Sequence, residues 1–141
     1  MVRVMASGVF DILHTGHISY LEQAKAFGDE LYVVIANDNT VRKNKHEPIT
    51  PESMRVRIVN ALKPVDRAIL GKDGDMFAIL NDIRPDIIVL GFDQRFDEDK
   101  LSQQLRERGF DIEVKRANRS CEDLEATRAI IRKIRERVDL Q

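Results

Sequence analysis

The sequence has no tryptophan, one cysteine and four prolines. A single cysteine, Cys121, closes no internal disulfide, so the fold must rest on a hydrophobic core, and such sparse thiol usage fits a reducing compartment; a cytoplasmic protein is expected. No apolar run approaches the roughly 20 residues that span a membrane. The first residues read as a strand, without the basic-then-apolar layout of a secretion signal, so no membrane partner is expected. Charge of one sign is also missing: 23 Lys and Arg stand against 24 Asp and Glu, a net of −1. That balance provides no basic field for nucleic acid. Aromatic residues make up only 6%, too few for the stacking surfaces of single-strand binders. Repeats and low-complexity tracts are lacking as well.

What is present suits an ordinary globular protein. With 141 residues, 43% hydrophobic and 33% charged, the chain reads as a single domain, 1–141, large enough to bury a core. Residues 2–6 form a short apolar strand. Apolar positions at Ile18, Leu21, Ala24 and Phe27 then keep a helical rhythm, with Gly28 as its expected C-terminal cap. Residues 31–36 are a continuous apolar run, as in a strand covered on both faces. Asn37 to Thr40 reads as a polar turn, and the basic residues 41–47 as a loop or a frayed short helix. Thr50-Pro51-Glu52 predicts a helix start with Thr50 as cap; its inward residues would be Met54, Ile58 and Leu62.

Residues 68–70 make a third strand. A helix opening near Asp75 would turn Phe77, Leu80 and Ile83 inward. Residues 86–90 are strand four, with Gly91-Phe92-Asp93-Gln94 as its exit. Residues 98–108 form a polar helix anchored by Leu101 and Leu105 and ended by Gly109. Residues 112–114 are strand five. Ser120 and Asp123 have capping-box spacing, before a last helix with Leu124, Ile130 or Ile131, and Ile134 inward. Five alternations of strand and helix predict an α/β fold: a Rossmann-like open parallel sheet of about five strands with helices on both faces. Ligands of such sheets sit beyond the carboxyl ends of the strands. Here those ends are the 7–17 loop, Asn37-Asp38, and Gly91-Phe92-Asp93.

The 7–17 loop carries the chemistry. A strand, a glycine-broken turn with two histidines, and a helix start make a phosphate site, because unpaired N–H groups at a helix N-terminus attract anions. Gly8-Val9-Phe10-Asp11-Ile12-Leu13-His14-Thr15-Gly16-His17 resembles the G-x-F-D-x-x-H-x-G-H signature of the cytidylyltransferase-like nucleotidyltransferases. Tyr20-Leu21, Ala24-Lys25 and residues 28–31 look like that family's first helix and second strand, and Arg55 stands where the family has an arginine. The resemblance covers nearly the whole chain. It implies transfer of a nucleoside monophosphate from a nucleoside triphosphate to a phosphorylated acceptor, with release of pyrophosphate.

On that resemblance His14 and His17 stabilise the transition state without a covalent intermediate, and Lys43 and Arg55 are catalytic phosphate contacts. Val9, Phe10 (through its backbone), Thr15, Gly16 and Asp93 join the histidines in nucleotide binding. Each has a plainer reading too. Arg42, Lys43 and Lys45 are equally a solvated basic run, Arg55 a helix-surface ion pair, and Asp93 a helix cap. Asp11 either orients the loop or touches ligand. Where the family has a Ser/Thr-rich motif, this chain has Leu124-Glu125-Ala126-Thr127-Arg128. Thr127 alone keeps a hydroxyl, so Arg119 and Ser120 are the candidates to assist it.

No set of residues makes a metal cage; a divalent cation, Mg²⁺, is expected to come with the triphosphate. For the substrates, three groups within the family are similar: glycerol-3-phosphate cytidylyltransferases, heptose-1-phosphate adenylyltransferases and archaeal FAD synthases. The last also resembles the chain at 87–94 and at Phe96-Asp97-Glu98, which implies ATP as donor, FMN as acceptor and FAD as product. A nucleotide-binding regulatory module is the non-enzymatic alternative. The oligomeric state is left open, a homodimer being what relatives suggest.

Overall fold

Strand and helix alternate as the hydrophobic pattern requires. The computed structural model describes residues 1–44, 46–73, 77–94, 96–118 and 127–139. Its elements run β1 (Arg3–Gly8), α1 (Thr15–Ala26), β2 (Glu30–Ile35), α2 (Asp38–Asn44), α3 (Glu52–Asn60), β3 (Arg67–Leu70), α4 (Ala78–Ile83), β4 (Ile87–Leu90), α5 (Glu98–Glu107), β5 (Glu113–Arg116) and α6 (Thr127–Asp139). The five strands form one parallel sheet in the order β3-β2-β1-β4-β5. β1 lies at the centre, with Val4 beside Leu31 of β2 and Ile87 of β4. The winding turns back between β1 and β4, so the crevice for a ligand opens there.

Alternation along the strands divides the core in two. Val4, Ala6, Leu31, Val33, Ile35 and Val89 pack with Leu21 and Ala24 of α1, Val59 of α3 and Phe10. Met5, Ile88 and Leu90 face the other way, onto Leu80 and Ile83 of α4 and Leu101 and Leu105 of α5. Helices therefore cover both faces, as expected. Leu21, Leu31, Val33 and Leu105 have no exposed surface, and each such side chain contributes about 1.5–3 kcal/mol by leaving water.

Four details differ from the sequence reading. The polar turn at 37–40 is in fact the start of α2, and of the two readings of the basic stretch after it the short helix holds as far as Asn44. Asn37 caps it, its Oδ1 accepting from Thr40 N–H at 2.8 Å, and Val41 is its buried residue; the same Asn-Asp chemistry that marks turns also starts helices. Thr50 does not cap α3, whose N-cap is Pro51 with no side-chain bond. α3 buries Arg55 and Val59, whereas Met54 and Ile58 are exposed. Phe27 and Ile134 are exposed rather than inward. The expected features at Asp75, Ser120, Asp123 and Leu124 lie outside the described residues.

Glycine is required at the end of α1 for space, not for a left-handed turn. A Cβ on Gly28 would lie 2.7 Å from Val4 Cγ2 and 2.8 Å from the Val2 carbonyl oxygen. The Gly28→Ala variant should lose about 1–3 kcal/mol through this overlap, read as a lower urea midpoint with an unchanged slope.

Candidate active site

Between β1 and α1 the backbone is strained. Phe10 and Ile12 have φ values of 56° and 53°, a region disfavoured for any side chain and most of all for a β-branched one. Each such residue costs on the order of 1–3 kcal/mol and persists only where its surroundings hold it. Gly8 makes the first turn possible, since a Cβ there would stand 2.9 Å from the Phe10 ring. Phe10 folds back into the core, 5.3 Å from the His17 ring and 6.4 Å from Tyr20 between centroids.

Three remote segments clamp the strained loop. The Asp11 carboxylate is buried and accepts from Ile49 N–H (2.8 Å), Thr50 N–H (3.0 Å) and the Thr50 hydroxyl (2.6 Å). Arg55, 1% exposed, donates from Nη1 to the Val9 and Ala36 carbonyls (2.8 and 2.7 Å) and from Nε to the Thr50 carbonyl (3.1 Å). Its Nη2 pairs with Asp38 Oδ1 at 2.6 Å. Thr127 at the start of α6 donates its hydroxyl to the Asp11 carbonyl at 2.9 Å. Breaking a buried pair like that of Arg55 costs about 3–5 kcal/mol, enough by itself to outweigh the strain at either residue. Burial alone would raise the Asp11 carboxyl; the Thr50 hydroxyl, the Ile49 and Thr50 amides and the Arg55 charge together outweigh it and hold the group below the usual carboxylate range.

At the loop's end the two histidines cap α1 reciprocally. Gly16 N–H donates to His14 Nδ1 at 3.1 Å, and His14 N–H donates to His17 Nδ1 at 3.2 Å. The rings stack with centroids 3.9 Å apart. With each Nδ1 lone pair occupied, the neutral imidazoles carry their proton on Nε2. The hydrogen-bond network thus makes both Nε2 atoms donors, beside a helix N-terminus whose partial positive charge favours phosphate.

The neighbouring strand ends are tied to the same place. Asn37 at the exit of β2 is buried and donates to the Gly71 carbonyl (3.1 Å) and Asp73 Oδ1 (3.0 Å) beyond β3. Tyr20 of α1 donates its hydroxyl to the Val89 carbonyl of β4 at 2.6 Å and accepts from Ser7 N–H of β1 at 3.2 Å. Burial pushes this phenol far above its usual range, and the negative charge of Asp93 adds to the rise.

Val9, Phe10, His14, Thr15, Gly16 and His17 therefore share one loop and helix start, with Thr15 exposed. Asp93 is exposed at the end of β4, near enough to Tyr20 to act on its phenol. Lys43 is exposed in the last turn of α2. Arg55 differs from the expected phosphate contact: its guanidinium is committed to four protein acceptors with almost no surface left, so here it positions the loop. Thr127 likewise spends its hydroxyl proton on the loop backbone rather than presenting it to phosphate. Arg119 lies outside the described residues. Thr50, Tyr20 and Gln94 join the site without a functional signal in the sequence: Thr50 reads as a helix cap, Tyr20 as part of the family match and Gln94 as part of a strand exit.

A sheet wound outward from its central strand, with a clamped histidine loop opening onto a helix N-terminus at the switch point, is the build of a nucleotide-handling α/β enzyme. The chain matches the cytidylyltransferase-like family over residues 5–137 and belongs to it; it is a nucleotidyltransferase. An FAD synthase of Aciduliprofundum boonei is 54% identical over 140 residues, 99% of this chain and 94% of that protein. An FAD synthase of Thermoplasma volcanium is 46% identical over 136 residues, 96% of each chain. A solved structure from Thermoplasma volcanium GSS1, described as a lipopolysaccharide core biosynthesis protein, superposes with a TM-score of 0.84 at 49% identity, covering 86% of this chain and 99% of that one.

Two outcomes follow from the clamp and the cap. His14→Asn keeps an acceptor near the Nδ1 position but has no Nε2 donor; it should hold stability within about 0.5 kcal/mol while turnover falls roughly 10²–10³-fold. His14→Ala loses the cap as well, costing about 1 kcal/mol more, so denaturation curves and rates on the two variants separate the roles. The Asp11 contribution is present in full above its ordinary value of 3.8 and is lost as the pH falls through the lower native value. Urea midpoints at neutral pH and at about pH 3 should therefore converge for Asp11→Asn and the parent protein as acid is added.

Proposed function

We propose that the chain, acting as one domain over residues 1–141, transfers AMP from ATP to FMN and yields FAD and pyrophosphate. The observation that carries this reading is its likeness, at 54% identity over 99% of the chain, to an FAD synthase. A phosphate oxygen of FMN attacks the α-phosphorus of ATP, the bond from that phosphorus to the bridging oxygen breaks, and pyrophosphate leaves. Charge grows on the α-phosphoryl oxygens and the leaving group, where preorganised donors act most strongly. The Nε2–H groups of His14 and His17 supply such donors, with the N–H of Thr15 at the start of α1 beside them. Lys43 adds a cation for the phosphates, and Asp93 meets the nucleoside.

A divalent cation fits the donor set in one way. Among the described residues no group of three or more His, Cys, Asp or Glu side chains could hold a metal ion. Mg²⁺ is commonly held by substrate phosphates and water with few protein ligands, and it would neutralise the triphosphate charge. No helix among the described residues is long and apolar enough to cross a membrane; with the single cysteine, this supports a cytoplasmic enzyme.

A second reading, adenylyl transfer to a heptose 1-phosphate, is favoured by the description of the Thermoplasma volcanium structure. One experiment separates them. The purified protein is incubated with Mg²⁺ and ATP or CTP, against FMN, glycerol 3-phosphate or heptose 1-phosphate, and the products are resolved by chromatography. FAD formed from ATP and FMN alone is the expected result. ADP-heptose or CDP-glycerol would overturn it, and nucleotide binding without any transfer would mark a regulatory module.

A further inference from the structure

Outside the histidine loop, a second guanidinium gathers a whole segment around itself. Arg116, the last residue of β5, donates from Nη1 to the Gly91 carbonyl (2.7 Å) and the Gln94 carbonyl (2.9 Å). Its Nη2 donates to the Phe96 carbonyl, and its Nε pairs with the Glu98 carboxylate. Gly91, Gln94, Phe96 and Glu98, between the end of β4 and the start of α5, are therefore gathered around one cation. Its inner side is held independently. The Gln94 amide accepts from Gly91 N–H at 2.8 Å and donates to the Ser7 carbonyl of β1 at 3.0 Å.

Asp93 stands on the loop so fixed. It is exposed, and its Oδ1 lies 3.6 Å from where a Cβ on Gly91 would be. The loop sits at the carboxyl end of β4, beside β1, at the point where the winding turns back. The triphosphate belongs at the α1 N-terminus, so the rest of the nucleotide must lie along the crevice that this loop borders. A planar fork of donors can meet three carbonyls and a carboxylate at once; an ammonium on a flexible stem cannot hold the same set.

We propose that Arg116 is a positioning residue for the nucleoside of the donor nucleotide. It holds residues 91–94 so that Asp93 and the neighbouring backbone meet the nucleoside, and it acts through that backbone without touching the nucleotide. The inference rests on the nucleotidyl-transfer reading and on Asp93 as a nucleotide contact; it does not depend on the acceptor. A merely structural role would lower the melting temperature and the active fraction, leaving KM unchanged. A positioning role raises KM for the nucleotide selectively.

The test uses the full chain as Arg116→Met and Arg116→Lys. ATP affinity is measured by calorimetry with Mg²⁺, and steady-state rates are measured with ATP and FMN varied in turn. The Kd and KM for ATP should both rise roughly tenfold or more, with kcat within about threefold and KM for FMN unchanged, and Lys should do no better than Met. Unchanged ATP affinity, a rise confined to KM for FMN, or full restoration by Lys would overturn the proposal. Should Arg116→Met fail to fold, Gln94→Met loosens the same loop from its β1 side. It should raise the Kd for ATP in the same direction, and an unchanged Kd would count as refutation. Because ATP binding is read without FMN, a parent protein that binds ATP but forms no FAD sinks the FMN reading alone.

Discussion

Four acceptors from three stretches of the chain meet at the guanidinium of Arg55: the carbonyls of Val9, Ala36 and Thr50 and the carboxylate of Asp38. With 1% of its surface exposed, this cation has no route to water, so each acceptor must stay where it is for the charge to remain compensated. The exits of β1 and β2, the turn before α3 and the start of α2 are fixed together as a result. Asp11 ties the same turn to the histidine loop from the other side, and Thr127 adds a third tether from α6. The left-handed backbone at Phe10 and Ile12 survives because these contacts over-determine it.

What the strain accomplishes is orientation. It delivers His14 to the N-cap of α1 and lets His17 reach back to the His14 amide. The cap consumes both Nδ1 atoms, so each neutral ring carries its proton on Nε2. A helix terminus, two oriented imidazole donors and a glycine-bearing first turn then share one face at the centre of the sheet. Under the proposed reaction, such a site places charge-stabilising groups before the substrate arrives, which is where electrostatic catalysis gains most. The flanking crevice walls are separately held, by Asn37 across to Gly71 and Asp73, and by Tyr20, Gln94 and Arg116 around the exit of β4.

Much of this was legible in the sequence. Apolar runs at 31–36 and 86–90, and helical spacing at Leu21 and Ala24, led to the sheet, its two covered faces and the three strand ends that build the crevice. The histidine signature marked the loop that the structure holds in a strained form at the centre of the sheet. What was not legible came from polar residues used as internal structure. A periodicity argument counts Arg55 as surface and so turned α3 by one residue, toward Met54 and Ile58, because nothing local announces that a guanidinium will be buried under three carbonyls. Thr50 had the look of a cap, yet its hydroxyl serves an aspartate 39 positions away in the chain. Asn37 and Asp38 fit a turn as well as a helix start. Partners distant in sequence decided each case.

Arg55 holds the histidine loop in its strained form, and everything built on that loop depends on this clamp. Hydrogen exchange of the backbone amides in Arg55→Met, compared with the parent protein, reads this directly. Protection should fall at residues 9–17 and 49–50 well beyond any change in β1, β4 and β5, because the loop loses its clamp while the sheet keeps its ladder. Equal protection of the loop in both proteins would contradict the account, since the strained backbone would then be holding itself.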